Sequence, residues 1–338
     1  MRALDDLEYA AETSGGPAPD GRPVGDDVWA LPQPMPGEHS PHYSLSYLIR
    51  DGGGGVHVVD PGFDSEVNHA RLLRLLGEIA PTTTSPLASI VVTHLHRDHL
   101  GLAERLRHEL GVPVALHRAE QESLRRLLAA APSQRETVLA NAQAWGVPAE
   151  RMPELAAAAD RAASGGTETD FRADLLLDDG EVLAVPGRRI RALHTPGHTP
   201  GHLCLHDLDR DILFTGDHVL PAIFPGIGLG GPAVDPIADY LISLDRVAAL
   251  DDPASPLKVF PGHGYRFTGL AERVAVTRRH HLARSAEVAA VRREHPHATV
   301  WQIAERVHWT AGWANLRGFY LASALAQTER HVAHLGAA

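Results

Sequence analysis

The stretch THLHRDHLG at positions 93–101 constrains this chain more than any other. Three histidines and an aspartate fall within six positions, directly after the branched apolar run SIVV. On a strand, His94 and His96 point to the same side, because side chains alternate with period two. Asp98 and His99 follow where the chain turns toward a helix. The pattern H-x-H-x-D-H sets four donors around one small volume, and neutral imidazoles with a carboxylate suit zinc, manganese or iron. One motif does not complete a cage. Three further donors supply what is missing: His198 in TPGHTPGH, Asp217 in FTGDH and His263 in FPGHG. Each follows a strand-like run and sits beside glycine, which permits close backbone approach.

The rest of the chain is read around these motifs. Its 338 residues suit one large domain with an appendage. Residues 1–27 are rich in Gly, Pro, Asp and Ala and are expected to be disordered or extended. Strand-like and helix-like runs then alternate through 28–268, starting with the hairpin pattern YSLSYLI, DGGGG, VHVVDPG. Residues 118–173 read as a helical insertion that can form a lid over a pocket, with SGGTETD as a loop. Residues 269–338 read as a helical appendage. His194, His202, His206 and His218 lie near the motifs but at no ligand position, and are read as structural, supporting or surface residues. The single cysteine, Cys204, excludes an internal disulfide and reads as a small core residue. There is no run of the roughly 20 apolar residues a membrane helix needs. The first residues carry acids and no apolar core of a signal peptide, so a cytoplasmic location is expected.

In order and strand-end context, H-x-H-x-D-H, G-H, G-D and G-H together resemble the signature of the metallo-β-lactamase superfamily, over residues 28–268. The resemblance implies an α/β fold, an αββα sandwich with metals at one edge. It implies that His94, His96 and His198 hold one metal, that Asp98, His99 and His263 hold a second, and that Asp217 bridges them. His at position 96, where the diiron flavoprotein branch has Glu, favours hydrolysis over redox chemistry. Asp60 in VVDPG matches the family's first motif, where the aspartate supports a ligand.

Two divalent ions sharing a hydroxide make a strong nucleophile near neutral pH, since a metal lowers the pKa of water from about 15.7 to about 7. Zinc is expected, with iron or manganese suiting the same donors. Asp98 is expected to orient the metal-bound water, and Tyr265 is a candidate donor to the developing oxyanion. The phrases TPGHTPGHLCLHD and GDHVLPAIFPGIGL resemble glyoxalase II-like hydrolases and β-lactamase-like proteins with a C-terminal winged-helix appendage. HHLARSAEV, TVWQIAERVHWT and AQTERHVAHL resemble that appendage's helices, with Trp301, Trp309 and Trp313 as packing anchors. That subgroup includes thioester hydrolases and an endoribonuclease.

The expected function is hydrolysis of a small-molecule thioester, ester or lactone. The alternative is an endoribonuclease or phosphodiesterase using the same centre. A third reading, an inactive metal fold with a regulatory role, conflicts with the full ligand set. The net charge is −11; residues 271–338 carry 9 Lys+Arg against 5 Asp+Glu, which leaves −15 on the remainder. The acidic body argues against broad phosphate-backbone binding, while the basic tail keeps nucleic acid open as a partner. A helical appendage can also build a dimer interface, so a homo-oligomer remains an option.

Overall fold

The computed structural model describes the chain apart from residues 18, 37–40, 82–85, 131–133, 165–170, 232 and 338. The segment SGGTETD, read as a loop, thus lies almost wholly outside the described residues. In chain order the elements are β1 (Arg2–Ala3), α1 (Asp6–Ser14), β2 (Arg22–Gly25), β3 (Val28–Pro34), β4 (Tyr43–Arg50), β5 (Val56–Val59) and α2 (Glu66–Ile79). There follow β6 (Leu87–Val91), α3 (Arg97–Leu100), α4 (Ala103–Leu110), β7 (Val114–His117), α5 (Arg118–Ala130), α6 (Gln134–Ala144), α7 (Met152–Ser164) and β8 (Leu175–Leu177). The remainder is β9 (Ile190–His194), β10 (Leu203–Asp207), β11 (Ile212–Gly216), α8 (Pro236–Ala248), β12 (Lys258–Pro261), β13 (Phe267–Thr268), α9 (Leu270–Glu294), α10 (Val300–Ala304) and α11 (Gly318–Ala337).

Two sheets form the centre. One runs β2-β3-β4-β5-β6-β7-β8 and the other β1-β13-β12-β11-β10-β9. Apolar residues from both sheets, among them Leu45, Tyr47, Val59, Leu205, Phe214 and Phe260, fill the space between them. The outer face of the first sheet packs Val58 and Ile90 against Leu72 and Leu76 of α2 and Leu106 of α4. The outer face of the second packs Leu213 and Val259 against Tyr240 and Leu244 of α8 and Val274 of α9. These layers are the expected αββα sandwich. Strands β5, β6 and β7 are mutually parallel, as are β11 and β12, so the loops after them gather at one edge. Among the described residues, no helix is long and apolar enough to cross a membrane.

Three expectations are corrected. Residues 1–27 are not an extended arm. Asp5 caps α1 by accepting bonds from the N–H groups of Leu7 and Glu8. Glu8 is buried on the guanidinium of Arg266, whose Nε donates to Oε1 at 2.9 Å and whose backbone N–H donates to Oε2 at 3.0 Å. Secondly, EVLAV at 181–185, one of the strand-like runs in the sequence, forms no full strand: Val182 makes only an isolated bridge to Arg191 of β9. Thirdly, the described residues of 269–338 contain helices and no strand, so the appendage has no β-wing. Its helices join the 118–173 insertion in one cluster, where Trp145 and Leu155 meet Trp301, Leu321 and Leu325. Trp301 and Trp313 pack edge to face at 4.9 Å, as anchors should.

Removing one partner of a buried, hydrogen-bonded ion pair strands the other charge. Glu8→Ala should lower unfolding free energy by about 3–5 kcal/mol, read from urea denaturation. A change below about 1 kcal/mol would mean that the N-terminal helix does not dock as described.

Candidate metal centre

The histidine motif begins where β6 ends. His94 and His96 lie in the bend after Val91, not on the strand itself, yet their rings still converge, with centroids 4.6 Å apart. His96 stands at the N-terminal boundary of the single-turn helix α3, where its carbonyl accepts the N–H groups of His99 and Leu100, and α3 carries Asp98 and His99. His198 follows β9, Asp217 follows β11 and His263 follows β12. The C-terminal ends of strands from both sheets thus deliver all seven donors to one edge.

The donors form two groups. His94, His96, His198 and Asp217 make one, and Asp98, His99 and His263 make the other. In the first, His96 Nδ1 lies 3.0 Å from His94 Nε2 and 3.1 Å from His198 Nε2. In the second, His263 Nε2 lies 3.1 Å from Asp98 Oδ2 and 3.3 Å from His99 Nε2. Asp217 stands between them. Its Oδ2 is 3.7 Å from His198 Nε2 and 4.0 Å from His94 Nε2, while Oδ1 is 3.4 Å from His99 Nε2 and 3.5 Å from His263 Nε2. Ligands held about 2.0–2.1 Å from one tetrahedral ion sit roughly 3.3 Å apart, so these separations fit. Asp217 Oδ1 is also buried with no hydrogen-bond donor, as expected of an oxygen that faces a cation.

In four of the five histidines the ring nitrogen that faces away from the centre is tied down. His99 Nδ1 donates to Asp60 Oδ2 at 2.9 Å, His263 Nδ1 to the Tyr43 carbonyl at 2.8 Å and His198 Nδ1 to the Gly226 carbonyl at 2.6 Å. His94 Nδ1 donates to Thr93 Oγ1 at 3.0 Å, and that hydroxyl donates to Asp60 Oδ2 at 2.7 Å. Such partners fix tautomer and ring orientation. Asp60 also accepts the Thr93 N–H at 2.7 Å and sits at φ 54°, a left-handed conformation that aspartate tolerates better than most residues. Gly262 is required by proximity: a Cβ there would stand 2.5 Å from Asp217 Oδ1 and 2.7 Å from His99 Cε1.

The two groups differ electrostatically. Burial pushes His198 down to about 4 and His94 well below the usual imidazole value, so both rings are neutral at pH 7 and able to donate to a cation. Burial opposes charge on His263 too, but the carboxylates of Asp217 and Asp98 push it up to about 10. His99 is likewise held well above its usual value by Asp98, Asp217 and Asp60, against the cost of burial. Without a metal, protons on these two rings balance the carboxylates.

The family now follows from comparison. A model of the metallo-β-lactamase superfamily matches residues 39–263. The chain belongs to that superfamily. It is a hydrolase of this fold. A "Beta-lactamase-like protein 2 homolog" from Caenorhabditis elegans is 24% identical over 279 residues, 82% of this chain and 75% of that protein. The human "Acyl-coenzyme A thioesterase MBLAC2" is 33% identical over 180 residues, 51% of this chain and 54% of that protein, so the match spans about half of that relative's length. A metallo-β-lactamase family protein from Thermus thermophilus superimposes with a TM-score of 0.75 at 26% identity, over 93% of this chain and 95% of that one.

Tyr265, the candidate oxyanion donor, is buried beside α1. Its ring packs edge-on against Tyr9 of α1 at 5.1 Å, and among the described residues its hydroxyl bonds to none of the seven. His202, read as a supporting residue, accepts the N–H of Asp217 on Nε2 at 3.2 Å. Glu120 escapes a reading of the sequence. It is buried in α5, where Oε1 accepts the N–H of Leu95 at 2.8 Å and Oε2 accepts that of Gly201 at 2.7 Å. One carboxylate thereby ties the His94–His96 bend to the loop that carries His198. A Cβ on Gly201 would meet Glu120 N at 2.1 Å, so only glycine fits that contact. Burial pushes Glu120 up to about 7, although both backbone donors favour the carboxylate.

Two outcomes are expected. Glu120→Gln sets an amide NH2 against one of the two N–H donors and should cost about 1–3 kcal/mol in urea denaturation of the metal-free protein; an unchanged midpoint would refute the tether. Since His263 and His99 must lose protons to bind metal, uptake by the second group should release at least one proton near pH 7. Its affinity should then rise by about tenfold or more per pH unit between about pH 6 and pH 9. Calorimetry in buffers of different ionisation heat reads the proton count, and none released would contradict the charge assignment.

Proposed function

We propose that this protein hydrolyses a small-molecule acyl thioester at a binuclear metal centre. The observation that carries this reading is the placement of Asp217, with one oxygen toward each ligand group. The names of relatives supply the substrate class: the human thioesterase above, an "Atrochrysone carboxyl ACP thioesterase" from Aspergillus chevalieri and a "Hydroxyacylglutathione hydrolase GloC" from Haemophilus influenzae. All three names denote cleavage of a thioester. Divalent ions held here, zinc by the donor set, would supply an activated water at neutral pH and a Lewis acid for the acyl carbonyl.

The chain's own residues do the rest. Asp98 is held well below the usual carboxylate range: burial works against charge, but His99 and His263 outweigh it. Its Oδ2 faces the second ligand group, and the side chain keeps 17% of its surface open. It can therefore accept a hydrogen bond from the attacking water and orient it. His94, His96 and His198, neutral and immobilised, complete the first group without competing for that proton. The thiolate leaving group of a thioester needs little protonation, because a thiol is a far stronger acid than an alcohol.

The nuclease alternative has weaker support. Part of the basic excess in 271–338 is internal: Arg273 and Arg284 are buried, and the Arg284 guanidinium stacks 4.0 Å above Trp309. Initial rates on an acyl-CoA thioester and on single-stranded RNA separate the two. Asp217→Ala should lower kcat/KM for the thioester by on the order of 10³-fold or more, with loss of bound metal. RNA cleavage that falls steeply with salt, with no thioester turnover, would replace this reading with the nuclease one.

A further inference from the structure

The loop between Asp217 and α8 is held from outside by α9. Arg273 of α9 is buried, and no carboxylate pairs with it among the described residues. Its Nε donates to the Leu220 carbonyl at 2.5 Å and an Nη to the Ile223 carbonyl at 2.6 Å. The next residue, Phe224, sits between two α9 side chains. The Arg273 guanidinium lies 4.7 Å from the ring centroid, and the His280 ring stacks flat on it at 3.8 Å and 5°. Two residues further on, the Gly226 carbonyl takes the 2.6 Å bond from His198 Nδ1. The N–H groups of Gly228 and Leu229 then donate to the carbonyls of Gly197 and His198, at 2.8 and 3.0 Å. The path from α9 to a metal ligand thus runs through two carbonyls, one aromatic ring and one further carbonyl.

We infer that Arg273 and His280 are positioning residues of the metal centre, and that the C-terminal helices serve to brace the loop whose Gly226 carbonyl fixes the tautomer and aim of His198. This rests on the metal-binding part of the proposed function and not on the identity of the substrate. A guanidinium is suited to the task. It stays charged at any working pH, reaches two carbonyls with fixed geometry and stacks on an aromatic face. A carbonyl partner on the outer nitrogen is worth about 10–100-fold in metal affinity when it orients a ligand. The Gly226 carbonyl orients His198 of the first group, while His99 and His263 of the second are oriented by Asp60 and Tyr43 instead.

The test is a Co2+ titration of the metal-free full chain, followed by visible absorption and by competition with a chelator, with thermal midpoints recorded alongside. The wild type should bind two equivalents, and His198→Ala should identify which event belongs to the first group. Arg273→Met should weaken that same event by about 10–100-fold and leave the other unchanged. Arg273→Lys, which keeps the charge and can reach one carbonyl, should recover part of the loss. His280→Asn, on a half-buried position, should weaken the same event to a smaller degree and carries the test if Arg273→Met does not fold. Wild-type affinity for both ions in the variants would overturn the inference, as would equal weakening of both events in step with the thermal midpoint. A wild-type chain that binds no Co2+ would instead overturn the metal centre itself.

Discussion

Everything at this site depends on one buried carboxylate. Asp217 closes β11 and meets four imidazoles, two with each oxygen. Burying that many titratable groups in one place is costly unless charge is balanced locally. The balance is uneven by construction. Three histidines are desolvated and kept neutral on one side, whereas two are held protonated between Asp98, Asp217 and Asp60 on the other. A pair of divalent ions would replace those protons and satisfy the oxygen that now lacks a donor. The fold's part is to hold seven donors within a few ångströms of one another.

That holding is done by contacts outside the donor set. Asp60 ties Thr93 to His99, Glu120 ties the bend after β6 to the loop after β9, and the Gly226 carbonyl aims His198. Each links segments distant in sequence, so each adds rigidity that neither segment has alone. The sandwich sets the ends of its strands at one edge; these bridges convert that rough convergence into separations of 3–4 Å between ligand atoms. The helical layer from 118–173 and 269–338 extends the same logic, since α5 contributes Glu120 and α9 contributes Arg273.

The seven donors and the αββα order are legible because they recur as short motifs at strand ends, where local spacing carries the chemistry. What is not legible depends on partners far along the chain. Residues 1–27 look unstructured by composition, and nothing near Glu8 announces Arg266, 258 positions away. Glu120 reads as a surface acid in AEQESLRRLL; its one signal is its place three residues after the strand VALH. The expectation of a wing rests on helix patterns alone, which say nothing about whether a hairpin follows them. Tyr265 lies two positions from His263 in the sequence, but its side chain turns to Tyr9. His94 and His96 converge as expected although they sit past the strand's end, because α3 and the Leu95 tether shape the bend.

The most direct test of the shared carboxylate is electron paramagnetic resonance of the protein as Co2+ is added from zero to two equivalents. Ions about 3.5–4 Å apart in a two-metal site share ligands and interact magnetically. If Asp217 joins the two groups, the second equivalent should produce a coupled signal that differs from twice the first. Two independent, additive signals, or saturation at a single equivalent, would contradict a binuclear centre bridged by Asp217.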